Sequence, residues 1–302
     1  MVLSQPRPMD ISVIIRTLNE AKWLPELLGA IDNQNTRSWQ TETIIVDSGS
    51  TDDTLKIARA HNCRIVTIQK SEFTFGRSLN IGCAAADGRF LVLISGHCVP
   101  LGKDWLYNLC TPLDKRICSY SYGRQIEREG YSKFSEKQLF FKYFPPQSKL
   151  PQDGFFCNNA NSALLKDVWA NQPFDEDVTG LEDMMLAKTL VSKGEKIGYI
   201  ADAVVEHIHE ERWQQVKRRY EREAIALQEI MPEVHFSWPD FFRYTLAGIM
   251  LDSSAALQEK RFCRTLGEII MFRTMQFWGT FKGNNEHRKL SRKTKEKYFY
   301  PR

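Results

Sequence analysis

Each of three short apolar runs in the first hundred residues ends in side chains that can bind a ligand. Thr17 and Glu20 follow the first run, Asp47 follows the second, and Ser95 and His97 follow the third. Apolar runs of this length, bounded by polar turns, are typical of buried strands. Ligands of an open α/β sheet bind beyond the carboxyl ends of its strands, so we expect these side chains to converge on one crevice.

Asp47 is the carboxylate whose position is most informative. A carboxylate at the end of a buried strand is costly to desolvate unless it meets a donor, such as a pyrimidine N–H or a ribose hydroxyl. This predicts a nucleoside contact at Asp47. An Asx turn with Ser50 explains the same spacing equally well, and both interpretations stay open.

Metal and phosphate contacts are predicted at two further places. Pro100 stops the third strand soon after His97, which places an imidazole where a metal or phosphate is met. Arg77 and Asn80 precede a helix and are candidates to contact phosphate oxygens. A strand-ending turn with a solvated histidine, and a solvated loop, remain the alternatives.

The elements that position these residues alternate between strands and helices. Short connections between them predict an α/β fold with a mostly parallel sheet flanked by helices. The segment Phe155–Ala163 packs three asparagines beside two phenylalanines, which indicates a polar patch against an apolar wall or a simple turn. A long amphipathic helix follows His209. We expect a catalytic domain at residues 1–232 and a helical, basic C-terminal extension at residues 233–302.

Composition limits the classes of protein considered. The chain has 302 residues and a net charge of +4, but residues 282–302 hold eight Lys/Arg against two Glu, a balance of +6. Seven cysteines without a C-x-x-C pair favour a reducing compartment. No signal peptide or bilayer-spanning run is recognised, so we expect a cytoplasmic protein, either soluble or peripheral on the inner face of the cell membrane.

Four sequence blocks occur in a characteristic order: Ile11–Glu20, Ile44–Thr54, Arg77–Gly82 and Leu181–Asp183. They resemble the signature blocks of the family 2 inverting glycosyltransferases, which have the GT-A (Rossmann-like) fold. The resemblance covers about residues 10–210. Within that family the chain is most similar to bacterial enzymes of surface polysaccharide synthesis, such as rhamnosyltransferases.

The resemblance implies a role for each matching residue. Thr17 and Glu20 would flank the nucleotide of a nucleotide-sugar donor, Asp47 would bind its base, and Arg77 and Asn80 would lie near the diphosphate. Ser95 would also belong to the donor site. The reaction would be a single displacement, in which an activated acceptor hydroxyl attacks the anomeric carbon and configuration inverts.

The acidic pair Glu182 and Asp183 would supply the catalytic carboxylate. By resemblance, Asp183 is the general base that deprotonates the acceptor hydroxyl. Thr179 and Glu182 also have the spacing of a capping box, so capping and catalysis both remain open for Glu182.

The chain departs from the family pattern at Ser95-Gly96-His97, where an Asp-x-Asp pair is usual. Losing both carboxylates removes the ligands that suit Mg²⁺, whereas Mn²⁺ tolerates imidazole better. His97 is therefore a candidate ligand, with His207 or His209 as the second, and the His-x-His spacing predicts both rings on one face of a strand. A metal-independent enzyme, in which Arg77 or His97 itself meets the leaving-group charge, is equally compatible.

The acceptor would be a glycan or a lipid-linked saccharide. Basic and aromatic residues at the C-terminus suit contact with a membrane surface, although a packed helical extension with a solvated end explains them equally well. No nucleic-acid-binding module is recognised. The alternative functions are a catalytically lapsed nucleotide-sugar-binding or scaffold subunit, motivated by the missing Asp-x-Asp pair, and a sugar-nucleotide nucleotidyltransferase.

Overall fold

A computed structural model describes residues 8–285. The predicted basic tail therefore lies outside the described residues from position 286 onward. One mixed sheet forms, with the strand order β3-β2-β1-β4-β7-β6-β8-β5. The strands are β1 (Ile11–Thr17), β2 (Thr41–Asp47), β3 (Arg64–Thr67), β4 (Phe90–Ser95), β5 (Cys98–Pro100), β6 (Tyr120–Ile126), β7 (Asn161–Leu165) and β8 (Ile197–His207).

Helices connect these strands and continue beyond them. Those that belong with the sheet are α1 (Leu24–Asp32), α2 (Thr54–Ala60), α3 (Phe75–Ala85), α4 (Trp105–Asp114), α6 (Lys166–Asn171) and α7 (Glu182–Ser192). The others are α5 (Phe134–Tyr143), α8 (Trp213–Ile230), α9 (Trp238–Gln258) and α10 (Phe262–Asn284). The predicted α/β class and helical C-terminal region are confirmed.

Apolar spacing explains how the sheet is covered. In β1 the residues from Ile11 to Ile15 are all buried, which is the pattern of a strand with helices on both faces. On α1, Leu24, Leu27, Leu28 and Ile31 form one buried stripe at helical spacing. Strands β1, β2, β3 and β4 pair in parallel, and β7 is antiparallel to both β4 and β6.

The chain divides into two compact units. The sheet unit contains the described residues up to Ile126 together with Phe144–Glu176 and Asp183–His207. The helical unit contains Glu127–Tyr143, Asp177–Glu182 and the described residues from Ile208. The functional division at residue 232 stays a prediction, because compact packing does not define which residues take part in catalysis.

Close packing of α10 against α8 organises the helical unit. A Cβ added at Gly279 would lie 2.3 Å from the Lys217 carbonyl oxygen, and one added at Gly283 would lie 2.1 Å from that of Glu221. Only glycine permits this approach of the two backbones. Along residues 8–285, we find no helix whose length and apolar character would let it cross a bilayer.

Candidate active site

The register of the parallel strands brings the predicted polar tips to one edge of the sheet. Thr17 lies opposite Asp47, and Arg16 lies opposite Ser95. Because β7 is antiparallel to β4, its first residue, Asn161, pairs with Ile94 near the end of β4. The loop that leads into β7 therefore lies at the same edge.

Asp47 is 1% exposed and accepts four hydrogen bonds. Its donors are the Thr17 hydroxyl at 3.0 Å, the Gly49 N–H at 3.0 Å, and the Ser50 N–H and hydroxyl at 2.9 and 2.5 Å. The Asx turn is thus present, and Gly49 permits it with a φ of 99°. The carboxylate is fixed in orientation before any ligand arrives.

Glu20 connects the first strand tip to His97. The Glu20 N–H donates to the Thr54 hydroxyl at 2.8 Å, and Glu20 Oε1 lies 3.0 Å from His97 Nδ1. A Cβ at Gly96 would come within 2.7 Å of the Glu20 side chain. Glycine at this position therefore allows the carboxylate and the imidazole to meet.

His97 and His207 contact each other at this edge of the sheet. Their rings stack, with centroids 5.2 Å apart and planes inclined by 25°. His207 Nδ1 lies 2.7 Å from Gln125 Oε1. Glu20 and Gln125 present oxygen acceptors to the two Nδ1 atoms. We therefore assign the proton of each neutral ring to Nδ1, which leaves Nε2 as the nitrogen that can coordinate a metal ion.

The prediction that His207 and His209 lie on one strand is wrong for His209, because β8 ends at His207, and its role as a metal ligand stays a prediction. His209 belongs to the helical unit, where its Nδ1 lies 2.6 Å from Glu136 Oε1. Arg219 Nη2 lies 2.6 Å from Glu136 and 2.8 Å from Glu211. Although Glu136, His209 and Glu211 are close enough to hold a metal ion, the Arg219 guanidinium already supplies the positive charge, so the group fits a structural ion-pair cluster.

Electrostatics within this cluster shift the acidity of Glu136. Burial alone opposes ionisation of the carboxyl, but the charges and hydrogen bonds of His209 and Arg219 outweigh it and lower the pKa of Glu136 to about 2. The buried carboxylate is therefore held in its ionised form by its neighbours.

Asp183 lies in the first turn of α7 and is almost fully buried. Its two oxygens accept from the backbone N–H groups of Asn159 and Met184, both at 2.8 Å. Charge-assisted bonds of this kind fix the orientation of a carboxylate without neutralising it. The loop from Asp177 to Glu182, just before Asp183, belongs to the helical unit.

Within the helical unit, Glu182 is buried and contributes to the environment of Arg222. Burial lowers the pKa of the Arg222 guanidinium, whereas the charges of Glu223 and Glu182 act in the opposite direction. The Arg222 side chain packs over Gly180, with Nε 3.4 Å from the place where a Cβ would be. These observations place Glu182 in an ionic environment and leave both its capping and its catalytic role as predictions.

The asparagine-rich turn, noted in the sequence only as a polar patch, connects Asp183 to the histidines. Gln125 Nε2 donates to Asn158 Oδ1 at 2.9 Å. Asn159 Oδ1 accepts from the Ser162 hydroxyl at 2.8 Å and from the Tyr120 hydroxyl. No sequence signal identified Gln125, whose contacts depend on pairing between distant strands.

A continuous path of contacts therefore crosses this edge of the sheet unit. Its successive members are Glu20, His97, His207, Gln125, Asn158, Asn159 and Asp183. Four predicted site residues are thus connected at this edge of the sheet. They are Glu20, predicted beside the nucleotide, the metal-ligand candidates His97 and His207, and the predicted base Asp183.

The two predicted phosphate contacts were expected before a helix, but both lie within α3, which begins at Phe75 after the Thr74 hydroxyl caps it. Arg77 is half-exposed in the first turn, with its Nε 3.9 Å from Glu176. The Asn80 amide accepts from Trp169 Nε1 and the Phe174 N–H, each at 3.0 Å, and donates to the Phe174 carbonyl and Glu176, each at 2.9 Å. Asn80 anchors the segment at Phe174, and its contact with a diphosphate stays a prediction.

Several solved structures have the same fold. A mannosyltransferase from Pyrobaculum calidifontis, in complex with GDP-Man and Mn²⁺, superposes with a TM-score of 0.65 and 17% identity, covering 95% of this chain and 92% of that one. The S. aureus TarS fragment 1-349 gives a TM-score of 0.53 and 15% identity, with 94% of each chain covered. At these identities the likeness concerns the fold alone.

Sequence comparisons give a more specific answer. An O-antigen chain rhamnosyltransferase of Salmonella typhimurium is 26% identical over 212 residues, 67% of each chain. One from Salmonella anatum is 28% identical over 223 residues, 70% of each chain. The family model for glycosyl transferase family 2 matches residues 12–170, more than half of the sequence. The chain therefore belongs to glycosyl transferase family 2.

Proposed function

We propose that this chain transfers a sugar from a nucleoside diphosphate donor to a hydroxyl group of a saccharide, with inversion at the anomeric carbon. Members of family 2 are inverting glycosyltransferases, which supports the reaction class. The observation that carries the proposal is the path of contacts from Glu20 through the paired histidines to Asp183. It joins a donor-side acid to a candidate base at one edge of the sheet.

The donor nucleotide is assigned to the tips of β1, β2 and β4. Asp47, already oriented by Thr17 and the Asx turn, accepts hydrogen bonds from the base or ribose. Ser95, at the end of β4, lies opposite Arg16 of β1, the strand that separates β4 from β2. Arg77 on α3 meets the diphosphate with its charged, half-exposed side chain, and Asn80 supports that helix.

Asp183 is assigned as the general base. It removes the proton of the acceptor hydroxyl while that oxygen forms a bond to the anomeric carbon, and the bond between that carbon and the diphosphate oxygen breaks with its electrons going to the leaving group. The N–H groups of Asn159 and Met184 hold the carboxylate in place for this task. Glu182 is assigned a supporting, electrostatic role.

A divalent cation fits the paired histidines. Both Nδ1 atoms face oxygen acceptors, which is the usual arrangement for metal-ligating histidine, and imidazole nitrogens suit Mn²⁺ better than Mg²⁺. A bound cation would offset the negative charge that develops on the departing diphosphate. His97 and His207 are the proposed ligands, and His209 remains the predicted alternative to His207 as the second ligand.

Donor and acceptor are proposed from the named relatives. Both Salmonella proteins are rhamnosyltransferases of O-antigen chains, so a nucleoside diphosphate deoxyhexose is the first donor to test. The acceptor is proposed to be a glycan or lipid-linked saccharide of surface polysaccharide synthesis. A location in the cytoplasm, peripheral to the inner face of the cell membrane, is proposed from the basic charge of residues 282–302.

The proposal is tested by a donor screen with and without acceptor saccharides, run in parallel with Mn²⁺, Mg²⁺ and EDTA. Released nucleoside diphosphate measures turnover, and NMR of the product gives the anomeric configuration. Transfer with inversion supports the proposal. Tight nucleotide binding without transfer or hydrolysis under any condition would instead identify a binding or scaffold subunit, and a retained configuration would contradict the single displacement.

A further inference from the structure

An exposed apolar stripe runs along α9. Phe242, Leu246, Met250 and Leu257 recur at spacings of four and seven residues, which places them on one side of a helix, and they are 58%, 60%, 71% and 60% exposed. Leu251 adds a fifth large side chain at 71% exposure. Surface leucines scattered singly are ordinary, whereas a contiguous row of this size marks an interaction surface.

The opposite side of α9 is already fixed within the helical unit. Thr245, Gly248, Asp252 and Ala256 are buried. The Asp252 carboxylate accepts from Arg273 Nε and Nη2 of α10, both at 2.7 Å. Removing one member of such a buried pair is strongly destabilising, so α9 cannot rotate to hide its apolar stripe.

Beside the apolar stripe the exposed charge is positive, whereas the carboxylate of Asp240, in the first turn of α9, is hydrogen-bonded to Ser237. In the fully described stretch from Phe242 to Gln258, Arg243 is the one charged residue that is exposed, and the carboxylate of Asp252 is buried. A row of large apolar side chains beside a cation, with the one carboxylate of that stretch buried, is complementary to an anionic, amphiphilic partner.

Aromatic residues gather at the N-terminal end of this stripe. The half-exposed Trp238 ring lies 4.3 Å from that of Phe281 and 5.6 Å from that of Trp278, measured between centroids. Indole rings with one exposed edge suit the headgroup level of a bilayer. Phe281 lies in the last turn of α10, so the chain leaves the described region beside Trp238.

The sequence beyond that point is strongly basic. Residues 286–302 hold seven Lys/Arg and two Glu, a balance of +5. The described structure ends at Asn285, next to the aromatic end of the apolar stripe. The charge of this sequence suits the same anionic partner as the stripe.

We propose that the outward side of α9 binds the surface of an anionic phospholipid bilayer. Phe242, Leu246, Met250 and Leu257 enter the boundary between headgroups and acyl chains, Trp238 lies at headgroup level, and Arg243 meets lipid phosphates. None of these residues is assigned to sugar transfer, and lipid binding through them requires no turnover.

The test is co-sedimentation of the full chain with vesicles of phosphatidylglycerol and, separately, phosphatidylcholine. We expect binding to phosphatidylglycerol vesicles that the double substitution Leu246→Ser/Met250→Ser weakens about tenfold or more, because two large apolar side chains no longer enter the bilayer. Phe141→Ser, which removes an equally exposed aromatic side chain on α5, is the matched control and should leave binding unchanged.

The salt dependence of vesicle binding distinguishes the contribution of the apolar surface from that of the basic tail. Raising the ionic strength from about 0.1 M to about 1 M shortens the screening length from ~10 Å to ~3 Å and weakens purely electrostatic binding. Residual binding at high salt that the double substitution abolishes supports the proposal. Binding lost entirely at high salt, with the double variant equal to wild type at low salt, would assign lipid contact to the tail alone and overturn it.

The same variants test whether a second copy of the chain, and not lipid, covers the outward side of α9. Circular dichroism confirms that each variant is folded, and light scattering during gel filtration gives its oligomeric state. A dimer in the wild type that becomes a monomer in the double variant, without vesicle binding by either, would show that a second copy of the chain covers α9 and would overturn the lipid assignment. A monomer in both cases, with the expected loss of vesicle binding, supports it.

Discussion

At the scale of single residues, the site is defined by carboxylates and imidazoles whose orientations are fixed by hydrogen bonds. Asp47 and Asp183 both accept backbone N–H groups, and His207 is oriented by an amide oxygen. Such fixed groups need little rearrangement when a substrate binds. The residue-scale predictions therefore concern turnover and metal response more than folding.

Asp183→Asn should lower kcat by roughly 10²–10⁴-fold, because the amide cannot accept the acceptor proton. Donor affinity should stay near that of the wild type, since the nucleotide is assigned to the strand tips around Asp47. Steady-state kinetics and calorimetry with the nucleoside diphosphate measure the two quantities. Asp202→Asn, at an exposed position of β8, is the control. Equal losses of turnover and nucleotide affinity would identify Asp183 as structural.

His97→Ala should remove any stimulation by Mn²⁺, or raise the Mn²⁺ concentration for half-maximal activity by about tenfold or more. His207→Ala should behave similarly, because its ring stacks on that of His97. His61→Ala changes a histidine that pairs with Asp32 outside this edge and should leave the metal response intact. Titrations of activity after EDTA treatment decide the matter. An unchanged metal response in the His97 variant would remove it from the ligand set.

At the scale of elements, the buried side chain of Asn161 forms hydrogen bonds where the pairing of β6 with β8 is irregular. The register shifts between Gly123 and Arg124, which pair with Ile200 and Val204. Asn161 Nδ2 donates to the carbonyls of Arg124 and Ala203, at 3.1 and 2.8 Å. The structure carries β8 through this irregularity as one continuous strand.

Asn161→Ala should lower the free energy of unfolding by about 3 kcal/mol, because it leaves two carbonyls and the Trp105 indole N–H without their partner. Urea denaturation followed by circular dichroism measures the change. Asn171→Ala removes an exposed amide on α6 and should change stability by less than about 0.5 kcal/mol. A wild-type stability in the Asn161 variant would show that the irregular pairing tolerates the loss.

At the scale of the whole molecule, the order of the helices along the chain differs from the way in which they are grouped into compact units. The helical unit takes α5 from the middle of the chain and combines it with α8, α9 and α10. Within this unit Glu136 of α5 forms an ion pair with Arg219 of α8, and Lys137 of α5 forms one with Glu259, which follows α9. Ion pairs of this kind hold the inserted segment in the unit.

Acid should weaken the helical unit through Glu136. Its folded pKa of about 2 lies below the usual 4.5, so its contribution is complete above about pH 4.5 and is lost as the pH falls from there towards 2. The contribution is on the order of 3 kcal/mol. The free energy of unfolding of wild type minus that of Glu136→Gln should therefore shrink between pH 5 and pH 2.

Chemical denaturation across this pH range measures the difference. Glu259→Gln removes a partly exposed ion pair and should cost less than about 1 kcal/mol at neutral pH. A difference between wild type and the Glu136 variant that stays constant down to pH 2 would contradict the assigned role of the cluster.

The sequence by itself determined the alternating elements from Ile11 to Ser95 and the polar tips that end them. Those features depend on local periodicity and on residues close together in the chain. It also identified the family, because the four signature blocks are short and contiguous. The Asx turn at Asp47 was one of two interpretations that the sequence left open, since its partners lie within three residues.

Only the tertiary structure decided which distant side chains meet. Gln125 contacts His207 across 82 positions of the chain, and the Asn159 N–H reaches Asp183 across 24. His209 was expected on the same strand as His207, but the end of β8 depends on its pairing with β5 and β6, which local spacing does not encode. Strand order and register are set by burial of the whole sheet, so contacts that depend on them emerge only once the chain has folded.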